Sequence, residues 1–127
     1  MIAYACWALP GNSEPKTAPE LDMTQNWIEL ISSFCSKDID VQTQARLASI
    51  KSIEFTDTGV FVDFEIEIPK QAGLNFSIHG VQFYSENLSC SASGFLHIRD
   101  GTINTLELVS NCGESLQGMA LTAAKQR

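Results

Sequence analysis

Gly94 to Ser110 reads G-F-L-H-I-R-D-G-T-I-N-T-L-E-L-V-S. Two apolar runs, Phe95-Leu96-His97-Ile98 and Leu106-Glu107-Leu108-Val109, flank Asp100-Gly101. Asp-Gly between apolar runs is a strong hairpin signal, because a primed turn needs positive φ and these two residues tolerate it. In extended chain Leu96 and Ile98 point one way, while Phe95, His97 and Arg99 point the other. Leu106 and Leu108 join the apolar side if the loop takes three residues; a two-residue loop would put them opposite. The hairpin therefore has two chemically different sides and is expected at the centre of a sheet. It speaks for architecture and is silent on chemistry.

Upstream, the strand pattern continues. From Ser49 the period changes to 2; Ile50 to Phe55 is strand-like with imperfect alternation, and Asp57-Thr58-Gly59 makes a turn. Val60, Val62, Phe64, Ile66 and Ile68 then alternate with Phe61, Asp63, Glu65 and Glu67, so one side is core and the other wet. Pro69 is expected to end that strand, since it cannot donate to a ladder. Lys70 to Asn75 reads as a loop, and Phe76 to Tyr84 as a strand kinked at His79-Gly80. Leu88 to Arg99 follows with Leu88, Cys90, Ala92, Leu96 and Ile98 in one phase. Gly94 leaves a gap in that row, where the strand bends or a neighbour approaches closely.

The N-terminal part has helical spacing. Three prolines and a glycine mark residues 10–19 as a loop, and Thr17 with Glu20 forms a capping box, with Pro19 tolerated in the first turn. Met23, Trp27, Leu30, Ile31 and Phe34 fall on one helix face from Glu20 to about Cys35. Burial of Trp27 and Phe34 implies a cost of ~3–5 kcal/mol for truncating either to alanine. Asp38 or Asp40 can cap a second helix through Val41, Ala45 and Ala48, with Gln42, Gln44 and Arg46 facing solvent or a neighbour. The expected fold is α+β: two N-terminal helices packed on an antiparallel β-meander of about five strands, in one domain over 1–127. Its parts are a helical region at 17–48, a sheet at 49–110 and a C-terminal tail at 111–127, docked by Leu116, Met119 and Leu121.

Composition narrows the function. The net charge is −7, from fifteen acidic and eight basic residues, which argues against nucleic acid as a partner. No apolar run reaches the ~20 residues of a membrane span. Ile2 to Leu9 lacks a basic leader; Tyr4-Ala5 before Cys6 only loosely matches a lipoprotein cleavage site, so a cytoplasmic location is expected. Cys6, Cys35, Cys90 and Cys112 are 29, 55 and 22 residues apart, with no C-x-x-C. In a reducing compartment they read as small buried hydrophobes; the alternative is a Cys90–Cys112 bridge between the outer ends of the hairpin strands.

Chemistry-bearing patterns are sparse. His79 and His97 have no ligand spacing, and His97 is placed to pair diagonally with Glu107, so neither a metal nor a cofactor is expected. There is no G-x-S-x-G, P-loop or G-x-G-x-x-G, and the chain is read as non-enzymatic. A cone-shaped ligand-binding or isomerase-like domain would need a buried carboxylate and a phenol, for which Asp63, Tyr84 and Glu107 are the candidates. The remaining feature is the carboxylate row Asp63, Glu65 and Glu67, spaced ~6.6–6.8 Å apart on one strand face. It is either a solvated face that blunts aggregation or an acidic docking surface with Phe61 as its apolar anchor.

The hairpin, with I-H-G-V-Q-F-Y-S ahead of it, resembles a diverse set of small bacterial proteins. Some of these are immunity proteins encoded beside contact-dependent growth-inhibition or related polymorphic toxins. The matching positions are Leu96, Ile98, Asp100, Gly101, Ile103, Leu106, Glu107 and Leu108, with Gln44 fitting a glutamine before the first strand; the tail after Asn111 departs from the pattern. The resemblance implies a toxin-neutralising protein whose partner is a cognate toxin domain, often a basic nuclease. Complementary charge then gives the expected contacts: Asp63, Glu65, Glu67 and Phe61, with Glu54 and Asp57 beside them.

Overall fold

A computed structural model describes residues 25–123. Among these, helices α1 (Trp27–Ile31) and α2 (Val41–Leu47) precede β1 (Ser49–Phe55), β2 (Gly59–Glu65), β3 (Phe76–Tyr84), β4 (Ala92–Arg99), β5 (Thr102–Ser110) and β6 (Thr122–Ala123). The strands form one antiparallel sheet in the order β1-β2-β5-β4-β3-β6, curled as a half-barrel. The class is α+β, but the expected meander of about five strands needs correcting. Strands β3, β4 and β5 do run as a meander, and β5 then returns beside β2, which makes a Greek key. The long 66–75 connection allows this, because it frees β3 from pairing with β2.

The central hairpin corrects a second expectation. Its loop takes two residues, with Asp100 and Gly101 both at positive φ (52° and 78°), as a type I′ turn requires. Leu106 and Leu108 nevertheless stay on the core side, because the frame shifts later. Ile98 faces Ile103 while His97 faces Thr105, leaving Asn104 as a bulged extra residue on β5. Ile98, Ile103, Leu106 and Leu108 are all buried as a result. One bulge takes the place of the longer loop.

Two segments hold this hairpin tip. Gln44, on α2, donates through Nε2 to the Gly101 carbonyl (2.8 Å) and accepts the Ile103 N–H (2.9 Å). From the other side Gln71 N–H donates to the Asp100 carbonyl and Gly101 N–H to the Leu74 carbonyl, both at 2.8 Å. Asn75 Oδ1 accepts the Asp100 N–H (2.8 Å), and Asp100 Oδ1 accepts the Gly73 N–H (3.1 Å). Gln44 is therefore a buried bracket on the turn, 8% exposed; of the two surroundings open to it, solvent or a neighbour, it meets the neighbour.

The helices cover the apolar side. Asn26 caps α1 by accepting the Glu29 N–H, so this helix begins at Trp27 and not at Glu20. Trp27, Leu30, Ile31 and Phe34 are buried as their spacing predicts. The Thr17–Glu20 capping box, Pro19, Met23 and Cys6 lie outside the described residues. Asp40 caps α2, accepting both the N–H and the hydroxyl of Thr43 (3.1 and 2.8 Å). At Gly94 a methyl group would run into the Phe83 ring and lie 3.1 Å from Phe34 Cζ, so the gap in the row is filled by those two rings. Strand β2 stops at Glu65, before Pro69, because β1 pairs no further than Ser49 with Glu65. Leu116 and Leu121 dock the C-terminal segment, which adds β6 beside Phe83 and Tyr84.

The cysteines also differ from the buried-hydrophobe reading. Cys90 and Cys112 form a disulfide with Cα atoms 6.1 Å apart, and Cys35 is exposed. Glu114 reinforces the bridge by accepting the N–H and hydroxyl of Ser89 (2.8 and 2.9 Å).

Candidate functional site

The sheet face away from the helices carries the polar half of every alternating strand. Its register aligns them. Ser52 on β1 faces Asp63 on β2, Asp63 faces Thr105 on β5, Thr105 faces His97 on β4, and His97 faces Ser77 on β3. This row crosses five strands, about 19 Å at the usual interstrand spacing. Asp63 accepts the Ser52 hydroxyl at Oδ2 (3.0 Å) and the Thr105 hydroxyl at Oδ1 (2.7 Å). Its carboxylate is thereby held flat on the sheet without a cation.

A second row runs beside the first. Glu54 faces Phe61, Phe61 faces Glu107, and Glu107 faces Phe95. Phe61 is 39% exposed, a large apolar side chain between two glutamates. Diagonally across the hairpin, Glu107 Oε1 lies 3.0 Å from His97 Nε2, the pairing expected from the alternation. On its other side His97 Nδ1 lies 2.6 Å from Ser77 Oγ. An open depression of about 820 Å³ lies over this region, lined by Phe61, Asp63, Phe76, Ser77, His97 and Arg99 among others.

The residues expected at a contact surface are thus only partly brought together. Phe61, Asp63, Glu65 and Glu54 share the helix-free face, with Glu65 at the end of β2 opposite Ser49. Glu67 is exposed beyond the strand, and Asp57 is exposed in the β1–β2 turn, so neither belongs to the ordered face. Glu107 belongs there, and only the β2–β5 register puts it there. Sequence reading gives Ser77 no role. The alternation of β3 gives its face, but its meeting with His97 depends on which strand pairs with which.

The pair expected of an isomerase-like cone does not assemble. Asp63 and Tyr84 stand on strands separated by β5 and β4, and Tyr84 is exposed near β6, seven residues beyond Ser77. Among the described residues no three His, Cys, Asp or Glu side chains are grouped to hold a metal ion, and no helix is long and apolar enough to cross a membrane. Compared with protein-family models, curated proteins and solved structures, the chain matches none.

Proposed function

We propose that this protein works by binding, as an immunity protein that neutralises a cognate toxin domain by covering a basic surface on it. The supporting observation is Phe61, exposed between Glu54 and Glu107 and next to the immobilised Asp63. An aromatic anchor inside a charged rim is the arrangement that concentrates binding energy at protein interfaces. Among the described residues the one carboxylate within 4 Å of a basic side-chain nitrogen is Glu107, beside His97, so Glu54, Asp63 and Glu65 keep their negative potential for a partner. The backbone beneath is a paired sheet, and Asp63 is already fixed by two hydroxyls, so little ordering is left to be done on association. The expected cytoplasmic residence fits a toxin that acts inside the cell; the Cys90–Cys112 disulfide counts against it, since such bonds persist in oxidising compartments.

The test is co-expression with the toxin domain encoded beside this chain. Restored growth, lost again in the Phe61→Ala/Asp63→Lys/Glu65→Lys variant, supports the reading. Unrescued growth with both proteins present removes it. Rescue that survives the triple variant moves the interface off this face.

A further inference from the structure

Ser77, His97 and Glu107 come from three neighbouring strands and meet in one line of hydrogen bonds on the open face. Glu107 Oε1 is 3.0 Å from His97 Nε2, and His97 Nδ1 is 2.6 Å from Ser77 Oγ. One tautomer satisfies both contacts: Nε2 carries the proton donated to Glu107, and Nδ1 keeps the lone pair that accepts the serine hydroxyl. Hydroxyl, imidazole and orienting carboxylate in that order are the parts of an activated nucleophile, recognised by geometry and not by sequence motif.

We propose that Ser77 is a nucleophile for acyl transfer from small carboxylic esters, with His97 as its general base and Glu107 as the positioning residue. Ser77 is exposed and lines the depression, so an ester has access to it. Ser77 Oγ attacks the ester carbonyl carbon while Nδ1 takes the hydroxyl proton. The bond to the leaving oxygen breaks, and the imidazolium returns that proton to the departing alcohol. Water then attacks the acyl-serine by the same proton path and releases the carboxylic acid. Glu107 stays ionised throughout and pairs with the imidazolium.

The surroundings supply donors for the transient oxyanion. Arg99 follows His97 by two residues on the same strand face and lines the same depression. Asn75 lines it too, and since its Oδ1 accepts the Asp100 N–H, its Nδ2 is left to donate. Phe61 gives the depression an apolar wall on the same face. This inference does not rest on a protein partner, and its test uses the isolated chain.

The probe is p-nitrophenyl acetate, given to the full chain with its disulfide intact and with Cys6→Ser and Cys35→Ser removing competing thiols. The expected result is a burst of nitrophenolate and an acetyl group on Ser77 by peptide mapping. Ser77→Ala abolishes the burst, and His97→Gln slows acylation about 10²-fold, the usual contribution of a general base. Glu107→Gln lowers the acylation rate without changing the half-saturating ester concentration, and Glu107→Asp recovers part of it. Undiminished nitrophenolate release in Ser77→Ala, or acetyl groups found only on lysines, overturns the proposal. Should His97→Gln fail to fold, Ser77→Ala and the peptide map still decide, because Ser77 is a surface residue whose removal opens no core.

Discussion

Gln44→Met removes the bracket on the central turn while keeping the volume of the side chain. Two hydrogen bonds go, from Gln44 Nε2 to the Gly101 carbonyl and from the Ile103 N–H to Gln44 Oε1. Both backbone groups belong to buried residues, Ile103 being 1% exposed, so no solvent replaces the lost partners. Leaving a buried donor or acceptor unpaired costs about 1–3 kcal/mol, which gives roughly 2–6 kcal/mol for the pair. For a chain of this size that corresponds to a drop in Tm on the order of 10 °C. The Asn104 bulge lies beside the Ile103 N–H, so loosening is expected there first. Thermal unfolding followed by circular dichroism gives the first number. Hydrogen exchange at the Ile103 amide gives the second, and that amide should lose protection ahead of the rest of β5. A Tm shift below about 2 °C with the Ile103 amide still protected would refute the bracket, since two unpaired buried groups cost too much to leave so small a trace.

Four further outcomes concern other parts of the molecule. Gly94→Ala forces a methyl group onto the Phe83 and Phe34 rings and should cost about 1–3 kcal/mol by overpacking, read as a shift in urea midpoint at constant slope. Cys90→Ser/Cys112→Ser opens a loop of 22 residues' separation and should lower stability by roughly 3 kcal/mol on the chain-entropy scale; equal loss in the wild type under reductant is the matching measurement. The hydroxyl and N–H of Thr43 hold the Asp40 carboxyl below its ordinary range, so its contribution to stability is complete above the unfolded-state value and is lost as pH falls through the lowered one. Asp40→Asn should therefore flatten part of the acid limb of a stability–pH curve and leave the neutral limb unchanged in shape. Reversing Asp63 and Glu65 to lysine should slow association with a basic toxin domain at low salt and converge with the wild type at high salt, as stopped-flow kinetics at two ionic strengths would reveal.

Much of the fold was legible because alternation and turn chemistry are local. Asp100-Gly101 could only be a tight turn, and the rows through Val60–Phe64 and Leu106–Leu108 could only face a core. The His97–Glu107 diagonal was legible too, since both residues lie on one hairpin. Other features were hidden for a physical reason. Helix α1 starts at Asn26, whose side chain accepts the Glu29 N–H, and the apolar spacing does not single that residue out. The Asn104 bulge is invisible in a pattern where Thr and Asn fit either face. The Cys90–Cys112 bridge was legible as one of two alternatives, and only the pairing of the strands, which brings their ends within bonding distance, chose it.

By itself the sequence determined which residues are apolar on one side of each strand, where the chain must turn, and that its surface is acidic. Those properties are set by side-chain period and composition, which act over a few residues. Only the tertiary structure decided that β5 lies between β2 and β4, and everything on the helix-free face depends on that. The placement of Glu107 beside Phe61, of Thr105 against Asp63 and of Ser77 against His97 comes from pairings between segments distant along the chain. Such pairings are chosen by how the whole core closes, with Gln44 and the 71–75 loop gripping the hairpin tip from its two sides.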